Sequence, residues 1–147
     1  MESGLKVFLW IESQIFNEKQ KKSDEIMKIK IASESAEALV ELRNTKTASA
    51  IIEALPFESI AHRWGEEIYF DIPLDLELES GQEVLDVGDI AYWPPGKSMC
   101  IFFGPTPSSK GSEIRAYSAV NVFGKVIGDA RIFRDVKEGE RIRVEAA

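Results

Sequence analysis

The chain has 147 residues, 44% of them hydrophobic and 29% charged, with a formal net charge of -7. That is one domain's length with enough apolar material for a core, and its acidic balance argues against nucleic acid and anionic membrane surfaces as partners. A single cysteine, Cys100, and a single histidine, His62, exclude an internal disulfide and a Cys/His zinc cluster, and no stretch approaches the roughly 18 apolar residues of a membrane span.

Residues 1–26 stand apart as an N-terminal extension. Leu5 to Ile11 is apolar but short, and a charged stretch from Asn17 to Glu25 follows. Glu2 and Glu12 do not suit a signal peptide. Two readings stay open. Either Met27 is the natural start or the segment is a loose extension, or else Phe8, Trp10 and Ile11 dock onto the domain or onto a second copy of it.

The domain is expected over residues 27–147. Met27, Ile29 and Ile31 alternate with Lys28 and Lys30, the period of a half-buried strand. Ser33-Glu34-Ser35 turns the chain into a second strand from Ala36 to Leu42. Asn44 or Thr45 offers a helix cap. Ala48, Ile51, Ile52 and Leu55 then form one apolar helical face, which Pro56 ends. Phe57 to Trp64 and Ile68 to Ile72 read as strands around a Gly65-Glu66-Glu67 turn. Leu74, Leu76 and Leu78 alternate with Asp75, Glu77 and Glu79, which reads as a strand with a solvated acidic face. Ile90 to Trp93 and Met99 to Phe103 are strands around a Pro-Pro-Gly corner. Residues 104–112 form a loop by composition. Val120 to Val126 and Ile142 to Val144 complete the set. Many short strands with one or two short helices predict a mainly β fold, a closed barrel.

Ala91 to Ser98 fits a loose phosphate-loop pattern, but Pro94 and Pro95 lack the N–H groups that cradle phosphate, and a strand-like run follows Lys97. Cys100, inside that run, reads as an inert buried thiol. Glu66 and Glu67, with Asp71 nearby, can be read as an acid pair for hydrolysis or as solvated turn residues, and the solvated reading is preferred. His62-Arg63-Trp64 joins a planar cation to aromatic residues. It suits the rim of an apolar pocket walled by Trp64, Tyr69, Tyr92 and Trp93, or a plain cation–π contact within a strand. No metal and no cofactor is expected.

In this order the motifs resemble the cyclophilins, the prolyl isomerases. Val120-Asn121-Val122-Phe123-Gly124-Lys125-Val126-Ile127-Gly128 resembles H-V-V-F-G-K-V-x-x-G. Ala61-His62-Arg63 with Ile68-Tyr69-Phe70-Asp71 resembles F-H-R with F-M-x-Q, and Gly88 to Tyr92 with Phe102-Phe103 resembles G-x-L-S-M with Q-F-F. Trp64 to Phe70, Tyr92 to Gly96 and Phe102 to Pro107 are similar still to a small prokaryotic cyclophilin-like branch without assigned function. The resemblance implies a cyclophilin-like barrel. It implies a cleft for a peptide or small ligand, with Arg63 as the catalytic donor to the prolyl amide. His62, Trp64, Ile68, Phe70, Asp71, Tyr92, Trp93 and Phe102 are the expected ligand contacts.

The sequence departs from the family pattern at Ile68, Asp71, Ile72-Pro73, Arg115 and Val120. Those positions correspond to a pocket phenylalanine, a glutamine, glycines, a tryptophan and a histidine. Two expectations follow: weak isomerase activity through Arg63, or a non-catalytic binding or assembly module, with the extension joining a homo-oligomer. Either is expected in the cytoplasm.

Overall fold

The computed structural model describes residues 6–15 and 28–147, so the charged stretch 17–25 and the boundary near Met27 lie outside the described residues. Residues 6–15 form a helix, α1, on which Val7 to Ile11 are exposed, Trp10 the most at 64%.

The first strand, β1 (Lys28–Ser33), buries Ile29 and Ile31 and leaves its lysines outward. The Ser33 hydroxyl binds Ala36 and closes the turn into β2 (Glu37–Leu42), which pairs back antiparallel with Ile31 opposite Ala38. Helix α2 (Lys46–Ala54) starts at Thr45, whose side chain accepts the Ala48 N–H at 3.0 Å. It packs Ala48 and Ile51 into the core and stops as Leu55 turns extended before Pro56. The strands β3 (Phe57–Ile60), β4 (His62–Arg63), β5 (Glu67–Asp71), β6 (Gln82–Leu85), β7 (Asp89–Trp93), β8 (Ser98–Phe102), β9 (Ile114–Ile127) and β10 (Arg141–Ala146) follow.

The sheet order is β3-β10-β1-β2-β9-β7-β8-β5-β4, with β6 on the outer part of β9. Its two ends, β3 and β4, are separated only by Ala61. The expected closed barrel is therefore not closed by ladder hydrogen bonds between end strands. The chain itself joins them, and Ala61 is held by bonds to and from Glu140 and Gly139.

Side-chain parity on β5, β7 and β8 makes two apolar compartments. Ile68, Phe70, Ile90, Tyr92, Met99 and Ile101 enter the main core with Phe123, Phe133 and the β1 isoleucines. Each such fully buried side chain contributes about 1.5–3 kcal/mol. The alternate residues Ala91, Cys100 and Phe102 face the other way. They form a second cluster with Leu85, Ile114, Ala116, Val120 and Val122, against which Tyr69 and Trp93 pack. The 14-residue β9 makes this possible: its end pairs with β2 and β7 while its beginning pairs with β6 over the second cluster.

Three local expectations need correction. Residues 74–79 are not a strand. Distant side chains meet much of their backbone: the Tyr92 hydroxyl donates to Leu74 O and accepts from Leu76 N, and Asn121 accepts from Glu79 N and donates to Glu77 O. Glu79 is not merely solvated. Its carboxylate accepts the Lys46 and Thr47 N–H groups at 3.1 Å, capping α2, and these bonds lower its pKa. Glu67 belongs to β5, not to the turn, because Trp64 N already donates to Glu67 O and the turn ends there. Pro94–Gly96 is a 3-10 turn followed by β8, the geometry that excludes a phosphate loop.

Candidate functional site

The second cluster opens into a cavity of about 140 Å³. The outward face of β5 supplies Glu67 and Tyr69. Trp93 comes from the end of β7, Cys100 and Phe102 from β8, Ala116, Tyr117 and Val120 from β9, and Trp64 from the turn between β4 and β5. That turn is fixed by Gly65, at φ +62°, where a Cβ would stand 2.8 Å from Pro107 Cδ and 3.0 Å from Thr106 Cα. Only glycine lets the 104–112 loop close against it.

The rings form walls. Tyr117 stands at 72° to Trp64 with centroids 6.1 Å apart, and at 81° to Trp93 at 5.8 Å. Trp93 is held from behind by its Nε1–H donating to Ser118 Oγ at 2.7 Å. Tyr69 is backed by His62, whose ring lies 5.2 Å from it and whose Nδ1 is 2.6 Å from Glu138 Oε2. That bond holds the Glu138 carboxyl below its usual range.

Glu67 is the polar group of this apolar lining. It is 5% exposed, and none of the salt bridges among the described residues involves it. Burial raises its pKa from 4.5 to about 8, offset in part by a bond from the Cys100 thiol. Burial and the neighbouring Glu67 push that thiol well above 9.0, so Cys100 stays a thiol. Near neutral pH the cavity therefore offers a neutral carboxylic acid, able to donate one hydrogen bond or to take up a counter-cation. Cys100 and Glu67 touch in this lining, but burial favours the protonated form of both near neutral pH, which leaves neither a thiolate nucleophile nor a carboxylate base there.

The expected contacts divide by parity. Trp64, Trp93 and Phe102 line the cavity. Ile68, Phe70 and Tyr92 do not; they are fully buried in the main core. His62 lies behind Tyr69 rather than in the lining. Asp71 is further along the β5 face, where it accepts from Ser98 Oγ at 3.2 Å. Arg63 pairs with Ile68 and so shares the parity that leaves the cavity. Its Nη1 donates to Arg134 O at 2.8 Å and Val136 O at 3.0 Å, its Nη2 donates to Gly65 O at 3.2 Å, and its guanidinium lies 5.3 Å from the Phe103 ring centre. Glu66 binds Arg134 at 3.0 Å, so Glu66, Glu67 and Asp71 do not converge as an acid pair. Among the described residues no group of three or more His, Cys, Asp or Glu is placed to hold a metal ion.

Sequence reasoning named Tyr69 as a pocket wall and weighed Glu67 only in an acid pair, and it missed Cys100, Ala116, Tyr117 and Val120 as ligand contacts. For Glu67 the signal was present: once Ile68 and Phe70 are core, it must face the opposite side, as Tyr69 does.

A family model described as Cyclophilin-like matches residues 27–145. Among solved structures, the solution structure of the hypothetical protein AF2241 from Archaeoglobus fulgidus is similar at 45% identity. It covers 82% of this chain and 95% of that one, with a TM-score of 0.73. Nothing among curated proteins matches. No helix of the described residues is long and apolar enough to cross a membrane.

Proposed function

The chain belongs to the cyclophilin-like family, and we propose that it is a binding protein whose ligand, a small molecule or one side chain of a peptide, enters the aromatic cavity beside Glu67. The observation that carries this reading is the cavity itself: about 140 Å³, walled by Trp64, Tyr69, Trp93 and Tyr117, with one buried acid to orient what enters. Binding sites combine mostly apolar walls with a few placed polar groups. The volume is close to the roughly 150 Å³ of an engineered apolar cavity that holds benzene, so the recognised group is about one ring in bulk.

Isomerase action through Arg63 is not part of this reading. A donor that weakens prolyl amide resonance must face the substrate, and the Arg63 Nη groups serve three backbone carbonyls while its Nε lies buried without a partner. A screen of small ring-sized compounds by NMR is expected to shift the Trp64 and Trp93 indole signals. Exchange NMR on short X–Pro peptides is expected to show no acceleration of isomerisation. A screen that leaves both indoles unmoved removes the binding reading. Acceleration that vanishes in an Arg63→Ala protein of undiminished stability restores the catalytic one. The reduced, buried Cys100 fits a reducing compartment and supports a cytoplasmic location.

A second role, assembly, is favoured by α1, whose Val7, Phe8, Leu9, Trp10 and Ile11 are all exposed in one copy of the chain. Deleting residues 1–26 is expected to lower the mass measured by light scattering from an oligomer to a monomer. An unchanged mass disposes of assembly through this helix.

A further inference from the structure

The cavity combines two features that together narrow the chemistry of its occupant. The first is ring geometry. Trp64 and Trp93 each stand nearly perpendicular to Tyr117, at 72° and 81°, and Tyr69 and Phe102 complete the walls. An aromatic ring attracts a cation at its face, and more strongly once water is excluded. The second is Glu67, 95% buried, lining the same space with the Cys100 thiol as its side-chain partner and no cation paired to it among the described residues. A buried carboxylate without a counter-charge is costly, so the site must take either a proton or a cation.

The kind of cation follows from what the lining lacks. A metal ion needs several oxygen ligands, and Glu67 is the sole carboxylate in this lining. A primary ammonium carries three N–H donors that all need acceptors, and apolar rings leave most of them unmet. A methylated ammonium has few or no such donors. Its methyl groups pack against apolar walls while its charge stays diffuse.

We propose that the cavity is a receptor for a methylated ammonium group of trimethylammonium type, held by Trp64, Trp93 and Tyr117 and neutralised by Glu67. This rests on the binding reading above and names the ligand class for the same site. Binding converts the neutral acid to a carboxylate, so a proton leaves Glu67 as the cation enters. No covalent bond forms or breaks in the ligand.

Facing Glu67 are Cys100 from β8, Tyr69 from its own strand and Tyr117 from β9. The Cys100 thiol and Tyr69 hydroxyl are both pushed upward from their ordinary values of 9.0 and 10.0. His62 is separated from the cavity by Tyr69 and is held by Glu138. Glu66 is held by Arg134. Choline binding is therefore expected to tighten from about pH 6 to about pH 9 as Glu67 sheds its proton.

The test titrates choline and its neutral carbon isostere, dimethylbutanol, into the full chain, reading the Trp64 and Trp93 indole signals and the heat of binding. Choline is expected to bind about tenfold or more tightly than the isostere at the higher pH. Glu67→Gln is expected to remove most of that preference and all of its pH dependence while still admitting the isostere, which also shows that the variant is folded. Proton release on binding, read from heats in buffers of different ionisation enthalpy, is expected for wild type and not for Glu67→Gln. Equal affinity for the two probes overturns the cation assignment and leaves an apolar binding cavity. So does a preference whose full size and pH dependence survive in Glu67→Gln. Neutral ring compounds that move the indoles while choline does not also overturn it, with the binding reading intact. If no compound moves them, both readings fall.

Discussion

Glu67→Gln is expected to stabilise the protein in mild alkali and to change little in mild acid. The unfolded carboxyl has its ordinary pKa of 4.5, whereas the folded one sits at about 8 because β5 buries it between Tyr69, Cys100 and Phe102. The native state thus holds this proton more tightly than the unfolded chain. Its contribution is fully present below 4.5, erodes as pH rises through the folded value of about 8, and is gone above it. At about 1.4 kcal/mol per pH unit across that window the loss is on the order of 5 kcal/mol. This is a large share of a domain's usual 5–15 kcal/mol. Glutamine matches the shape and has no proton to lose. Urea unfolding of both proteins at about pH 5 and about pH 9 checks this. The two stabilities should lie close in acid and separate by several kcal/mol in alkali. Curves that stay parallel mean Glu67 is charged or water-accessible in the native state, and the neutral acid at the cavity floor is then wrong.

The same residue shows where the sequence is legible and where it is not. β1, β2, α2, β7 and β8 can be read directly, because strand alternation, the Thr45 cap and Pro56 are local signals whose physics needs no distant partner. Glu67 was assigned to a turn because Gly65-Glu66 precedes it. Its burial depends on pairing with Phe102, 35 residues away, which puts it under β8 and β9. Residues 74–79 carry strand alternation without a strand. Tyr92 and Asn121, distant in sequence, supply with side chains the hydrogen bonds that a neighbouring strand supplies elsewhere. The cavity follows the same division. Trp64 and Trp93 were named because aromatic residues beside a planar cation suit the rim of a pocket, and Phe102 through the family resemblance. Ile68, Phe70 and Tyr92 were named with them although parity sends them to the main core. Tyr117 and Ala116 were not named, since nothing local marks the first half of β9 as a cavity wall. Register decides these cases, and register is a long-range property.

Register also places Arg63, and here the expected effect is on stability. Arg63→Ala is expected to cost about 2–3 kcal/mol without weakening ligand binding by the folded protein. Hydrogen bonds to a charged donor contribute roughly 1.5–3 kcal/mol each when well shielded. The sum here is discounted because the Arg134 and Gly65 carbonyls are open to water, which replaces part of what is lost. What remains is the bond to the part-buried Val136 O and the packing of the guanidinium on Phe103. Together these tie β4 and the Gly65 turn to the segment after the 3-10 turn Ala130–Asp135, alongside the His62–Glu138 and Glu66–Arg134 contacts at the surface. Lysine reaches one carbonyl at a time and lacks the planar fork, so Arg63→Lys is expected to recover less than half of the loss. Urea midpoints for the three proteins test this, alongside a titration of whichever compound the wild-type cavity binds. A loss within the roughly 0.5 kcal/mol typical of surface substitutions would mean the carbonyl contacts do not hold the fold. Arg63 would then be free to face a substrate. A loss of the expected size with unchanged ligand affinity means the position that resembles an isomerase donor has become a structural tie, on the opposite side of the strand from the cavity.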